Sequence, residues 1–244
     1  MMSPRRVPSN AASPDYGRGS PKRPGGRRVL WFVLVITSAL FGLARRVHLS
    51  IGMKNGPASW DQPILEWMVA HRTPELNQLV TGFTNLGSTP GMATIAVIAV
   101  ALLMWRSRSW WPLILVVVTA AGSLTLTSVL KQSVGRSRPP HGEAVPPYES
   151  SPSFPSGHTL NASAIIAVIA YLMVLQLRST LAKAATITGL SLFIFLMGVS
   201  RNYLGLHWFT DVLAGWMIGL GWAALVMLIH YLVVVRGRHL PWRW

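Results

Sequence analysis

The chain has 244 residues, no cysteine and a formal net charge of +15, and it is 51% hydrophobic with only 12% charged residues. Soluble domains carry about 25% charged residues, so the deficit points to lipid-facing surface, where charge is costly. The lack of cysteine excludes disulfides and thiolate chemistry. The basic residues flank apolar runs, as contact with anionic headgroups requires, which argues against a nucleic-acid partner.

Residues 1–28 are rich in Pro, Ser, Gly and Arg and are expected to form a disordered basic tail. Arg27 and Arg28 abut a first apolar run over 29–44. Its end, Gly42-Leu43-Ala44, is a passable signal-peptide cleavage site, but the long basic preface and the apolar runs that follow favour an uncleaved helix. Residues 45–89 are mixed. Ile64, Leu65, Trp67 and Met68 form one apolar face, and Leu76, Leu79, Val80 and Phe83 form another at helical spacing. Thr73-Pro74 reads as an N-cap and first-turn proline. These features predict short amphipathic helices at the membrane surface. Asp61 and Arg72 are open to two readings, as site residues or, more simply, as solvated or locally paired charges. Five further apolar runs cover 92–105, 110–130, 159–177, 184–199 and 212–235. The fold class is therefore all-α, a polytopic membrane protein of about six spans. A membrane domain over 29–235 would be followed by a short tail over 236–244.

Basic residues orient the spans. With both termini on one side, fourteen of the 22 Lys and Arg fall on that side. The other side holds eight: Arg45, Arg46, Lys54, Arg72, Lys131, Arg136, Arg138 and Arg201. The expectation is cytoplasmic termini in the cell membrane, with the loops after the first, third and fifth spans outside.

Three polar clusters fall on that outer side. The first is Lys131 followed by Arg138-Pro139, the second Pro155-Ser156-Gly157-His158, and the third Ser200-Arg201 with His207 and Asp211. Cations that surround non-bridging oxygens mask the charge of a phosphate ester, and arginine's planar fork binds two such oxygens at once. Ser156-Gly157-His158 opens a span, where unpaired N–H groups and the helix dipole favour an anion. If the last helix begins by Leu206, His207 and Asp211 share one of its faces, and the carboxylate can fix the imidazole tautomer and leave the other nitrogen as nucleophile. His158 is left as proton donor to the departing oxygen. A serine-hydrolase reading of Ser156, a histidine and Asp211 leaves the three cations unexplained.

These clusters resemble the motifs of the type 2 phosphatidic acid phosphatase family, over about residues 60–235. The resemblance implies a six-helix membrane core and a metal-independent, cofactor-free phosphatase working through phosphohistidine. It makes His207 the nucleophile, Asp211 its partner and His158 the general acid, with Lys131, Arg138, Ser156, Gly157 and Arg201 holding the phosphate. The implied partner is a membrane lipid phosphate: undecaprenyl pyrophosphate, phosphatidylglycerol phosphate or phosphatidic acid. A phosphotransferase passing the phosphoryl group to a lipid or sugar is the alternative, and a non-catalytic lipid-binding scaffold need not keep every site residue. His141, Glu143 and Tyr148, in the loop between the first two clusters, are candidates for tuning headgroup choice but read more simply as ordinary loop residues. Trp60, Trp67, Tyr203 and Trp208 are candidates to line the entry for an acyl or prenyl tail, with interfacial belt aromatics as the simpler reading.

Overall fold

The computed structural model describes residues 26–235, and no strand occurs among them. The tails expected over 1–28 and 236–244 lie outside these residues, except that 26–28 open the first helix. The helices are α1 (Gly26–Met53), α2 (Asp61–Ala70), α3 (Pro74–Thr84), α4 (Thr89–Ser107), α5 (Trp111–Val134), α6 (Gly157–Gln176), α7 (Thr180–Tyr203) and α8 (Phe209–His230). A π-helical turn, Tyr231–Val235, extends α8. Six of these helices, α1 and α4 to α8, are long and apolar enough to cross a membrane.

Local chemistry sets the boundaries. Thr73 accepts a hydrogen bond from the Leu76 N–H, with Pro74 in the first turn of α3. Ser88 accepts from Gly91 and Ser179 from Ala182 at the starts of α4 and α7. Arg108 and Gly135 end α4 and α5 in the left-handed region. The first helix continues past the expected end at Ala44. Its face carries on through Ala44 and Val47, both buried against Phe154, Leu160 and Ala214. Packing there outweighs the polar content of 45–53.

The core centres on α6 and α8, the two spans with the most buried faces. Small residues let these helices approach closely. A Cβ at Gly219 would lie 2.5 Å from the Leu160 carbonyl oxygen and 2.7 Å from Ser163 Cβ, and one at Gly215 would lie 3.0 Å from Thr159 Cβ. Such a seam takes the place of hydrophobic driving force between helices in lipid. It also fixes the start of α6 beside the start of α8, where the Ser156 N–H donates to the Asp211 carbonyl at 3.1 Å. The spans alternate in direction. The ends of α1, α5 and α7 and the starts of α4, α6 and α8 therefore meet at one end of the bundle, with α2 and α3 and the loop over 135–156.

Candidate active site

The three clusters meet at this end of the bundle. The Lys131 ammonium, in the last turn of α5, donates to Ser151 Oγ at 2.9 Å and to the Pro152 carbonyl at 2.5 Å. Arg138 lies in the loop after α5. Its Nε donates to the Ser151 carbonyl at 2.7 Å, and its Nη1 donates to the Leu206 carbonyl at 2.5 Å and lies 3.1 Å from His207 Nε2. Arg201, in the last turn of α7, is 2% exposed and donates to Thr84 Oγ1 at 3.0 Å. Its buried Nε–H has no hydrogen-bond partner.

His207 sits just before α8 and is fully buried. A guanidinium only donates, so the contact with Arg138 makes Nε2 the acceptor and places the ring proton on Nδ1. Nδ1 faces Ser153 Oγ at 3.4 Å and Asp211 Oδ2 at 3.5 Å. His207 and Asp211 do meet, but not on a helix face as expected: α8 begins only at Phe209, so His207 approaches Asp211 from the turn before the helix, with Ser153 shared between them, its Oγ donating to Asp211 Oδ2 at 2.5 Å. Asp211 Oδ2 also accepts the Trp208 N–H at 3.0 Å, closing the first turn of α8. Burial, then Arg138 and Arg201, push the His207 pKa well below the ordinary imidazole value. The ring is therefore neutral at neutral pH.

Ser156 is fully buried and caps α6. Its amide is committed to Asp211, and its hydroxyl accepts from Thr159 Oγ1 at 2.9 Å. Gly157 and His158 follow as the first helical residues, where N–H groups lack intrahelical partners. A Cβ at Gly157 would press on the Thr127 methyl at 3.2 Å, so glycine eases the close approach of the backbone to α5. The His158 ring borders the same space as His207.

What occupies that space is a residue the sequence reading passed over. The Glu149 carboxylate bridges the two arginines: Oε2 accepts from Arg138 at 2.7 Å and Oε1 from Arg201. The same oxygens lie 3.9 Å from His207 Nε2 and 3.8 Å from His158 Nδ1. Burial raises the Glu149 pKa, but Arg201, His207, Arg138 and His158 outweigh it and hold the group at about 2. One anion thus sits between two guanidiniums and two imidazoles. Its only sequence signal was a carboxylate in the loop joining two cationic motifs.

Asp61 is not solvated, and Arg72 is half-buried with long-range backbone partners. Asp61 is 6% exposed and pairs with Arg136 at 2.7 Å, and Arg136 also pairs with Asp211 at 2.5 Å. Arg72 donates to the Tyr203 and Glu143 carbonyls, both at 2.8 Å, and so ties the loop to the end of α7. Tyr203 is buried and donates to Asn77 Oδ1 at 2.9 Å. It is a packing residue, while Trp60 and Trp67 are exposed as belt aromatics would be. No group of three or more His, Asp or Glu side chains is placed to hold a metal ion among the described residues.

Residues 111–234 match the model of the PAP2 superfamily. The chain is 38% identical over 180 residues to a phosphatidylglycerophosphatase B of Bacillus subtilis (strain 168), covering 73% of this chain and 84% of that protein. It is 26% identical over 182 residues to a lipid A 1-phosphatase of Rhizobium etli, covering 64% and 71%. Among solved structures, a transmembrane PAP2 type phosphatidylglycerolphosphate phosphatase from Bacillus subtilis superposes with a TM-score of 0.67 at 30% identity, over 89% of this chain and 98% of that one.

Proposed function

The chain belongs to the PAP2 superfamily and is a multi-pass membrane phosphatase, and from that premise we propose that it removes the terminal phosphate of a membrane lipid phosphate through a phosphohistidine on His207. One observation carries this reading. The Glu149 carboxylate sits where a phosphate would, held by Arg138 and Arg201 and facing both histidines. A phosphate in its place meets two guanidiniums, and Lys131 stands close by: its Cε lies 3.9 Å from where a Cβ on Gly157 would sit. The unpartnered Arg201 Nε–H adds a further donor there.

His207 Nε2, neutral and unprotonated, attacks phosphorus. The bond from phosphorus to the lipid oxygen breaks, and His158 gives that oxygen its proton. The His207 ring becomes an imidazolium whose Nδ1–H faces Asp211 and Ser153. Water then attacks phosphorus with His158 as base, releasing inorganic phosphate and neutral His207. Lys131, Arg138, Arg201, Ser156 and Gly157 hold the phosphate, and three cations supply the charge that a divalent ion supplies elsewhere.

The headgroup read most directly from the similarity is phosphatidylglycerol phosphate, with phosphatidic acid and undecaprenyl pyrophosphate as further members of the class. A small apolar cavity of about 100 Å³ between α4, α5 and α6, lined by Met92, Ala96, Leu124, Asn161 and Ile165, begins one turn beyond His158 and suits the first part of a lipid tail. The basic-residue asymmetry supports a site on the extracytoplasmic face of the cell membrane. The test is phosphate release by the purified protein in detergent, with excess EDTA and a panel of lipid mono- and pyrophosphates. Release from at least one of them in EDTA is expected. Dependence on added Mg²⁺, or transfer only when a lipid or sugar acceptor is supplied, would overturn the reading.

A further inference from the structure

Asp211 has an unusual neighbour for the partner of a histidine nucleophile. Its Oδ1 accepts from Arg136 Nη1 at 2.5 Å, so a full positive charge lies directly behind it. Taken by itself, that contact would cancel the negative charge that an imidazolium on His207 requires. The next residue in the chain of contacts restores the balance. Arg136 Nη2 donates to Asp61 Oδ2 at 2.7 Å, and Asp61 is the buried first residue of α2. Asp61 Oδ1 also accepts the Thr210 N–H at 2.8 Å, one residue before Asp211, and the Thr210 hydroxyl bridges Arg136 and Asp61. Arg136 is placed over the Trp208 ring at 5.5 Å. Four residues from α2, the loop after α5 and the start of α8 thus form one line, Asp61–Arg136–Asp211–His207, with charges alternating along it.

We propose that Asp61 and Arg136 are positioning residues for His207, and that Asp61 keeps Asp211 effectively anionic by neutralising Arg136. The inference rests on the phosphohistidine reading. With His207 neutral, the line carries one net negative charge. When His207 carries the phosphoryl group and its ring is cationic, the line is neutral. Without the Asp61 charge the resting line is neutral, and the intermediate leaves an uncompensated positive charge in a buried site, which low-dielectric surroundings penalise. Arg136 bonds only Oδ1, while the Trp208 N–H and the Ser153 hydroxyl keep Oδ2 toward Nδ1, so removing the Arg136 charge leaves that orientation in place.

A purely structural role for Asp61, stapling α2 to α8, makes a different forecast. Asparagine keeps an acceptor for the Thr210 N–H and serves as a staple, but it carries no charge. The experiment compares wild type, Asp61→Asn, Asp61→Glu and the double variant Asp61→Asn/Arg136→Gln in detergent, with thermal unfolding as the check on folding. Steady-state kinetics are read with an aryl phosphate and a lipid phosphate. Asp61→Asn should lower kcat by about 10–100-fold, the range typical of outer-shell partners, with KM nearly unchanged and less phosphoprotein trapped. Asp61→Glu should recover much of that loss. The double variant should exceed Asp61→Asn by about tenfold, since removing the cation restores the charge of Asp211.

A folded Asp61→Asn with wild-type kcat overturns the proposal, and so does a double variant no faster than the single. If Asp61→Asn does not fold, the double variant decides: turnover within about tenfold of wild type supports the charge balance, and a folded but inactive protein overturns it. A His207→Ala variant that still turns over would remove the phosphohistidine reading itself. With His207→Ala inactive and wild type labelled, failure of the Asp61 series counts against the charge balance alone.

Discussion

Replacing Glu149 by Gln removes one charge and almost no volume from the centre of the site. The carboxyl is held at about 2, against 4.5 for an unperturbed glutamate, because Arg201, His207, Arg138 and His158 outweigh the cost of burial. At about 1.4 kcal/mol per unit, that difference amounts to about 3 kcal/mol of preference for the charged form. The side chain is 28% exposed, and solvent screening lowers the usable part to about 1–3 kcal/mol. A phosphate entering the site must displace this carboxylate from Arg138 and Arg201, so its binding is weakened by a similar amount. Glu149→Gln is therefore expected to tighten competitive inhibition by inorganic phosphate or orthovanadate by about 10–100-fold. The measurement is Ki from initial rates of aryl phosphate hydrolysis in detergent. An unchanged or weaker Ki in a folded variant refutes the argument that carboxylate and phosphate compete for the same guanidiniums. The pairing also has an acid signature. The folded pKa lies below the unfolded one, so Glu149 contributes its full stability above about pH 4.5 and loses it as pH falls through about 2. Wild type should be the more heat-stable protein at neutral pH, and the gap to Glu149→Gln should close across that window.

Other outcomes follow from the same geometry. Labelled substrate quenched without acid should yield an acid-labile, base-stable phosphoprotein, absent from His207→Ala along with turnover; a phosphoprotein that survives in this variant would move the nucleophile elsewhere. His158→Ala should slow phosphohistidine formation by about 10²–10⁴-fold with phosphatidic acid, whose alkoxide cannot leave without a proton, and far less with a pyrophosphate or p-nitrophenyl phosphate. Equal slowing with all three, measured in the burst phase, would reduce His158 to a phosphate ligand. For topology, Gly142 is exposed in the loop beside the site with open space around it, and Arg178 is exposed at the opposite end of the bundle. On intact cells an impermeant thiol reagent should label Gly142→Cys and leave Arg178→Cys unlabelled. The reverse pattern would place the site on the cytoplasmic face.

The amino-acid sequence by itself determined the class of the molecule. Long apolar runs can only be helices in lipid, because each backbone polar group must find its partner within the segment. The observed spans match those runs to within a few residues, apart from α1. It determined the three clusters too, since Lys131, Arg138, His158, Arg201, His207 and Asp211 are polar side chains in otherwise apolar surroundings and stand out locally. Tertiary structure decided which charges complete the site. Asp61, Arg136 and Glu149 lie in polar segments, where the ordinary expectation for a charged side chain is water. Asp61 is separated from Arg136 by 75 residues and from Thr210 by 149, and no local periodicity encodes a contact at such range. They are brought together where the loop over 135–156 and the start of α2 meet the ends of α7 and α8. Once those elements enclose the site, each carboxylate is stable only where a guanidinium meets it, and this pairing places Glu149 between the two histidines.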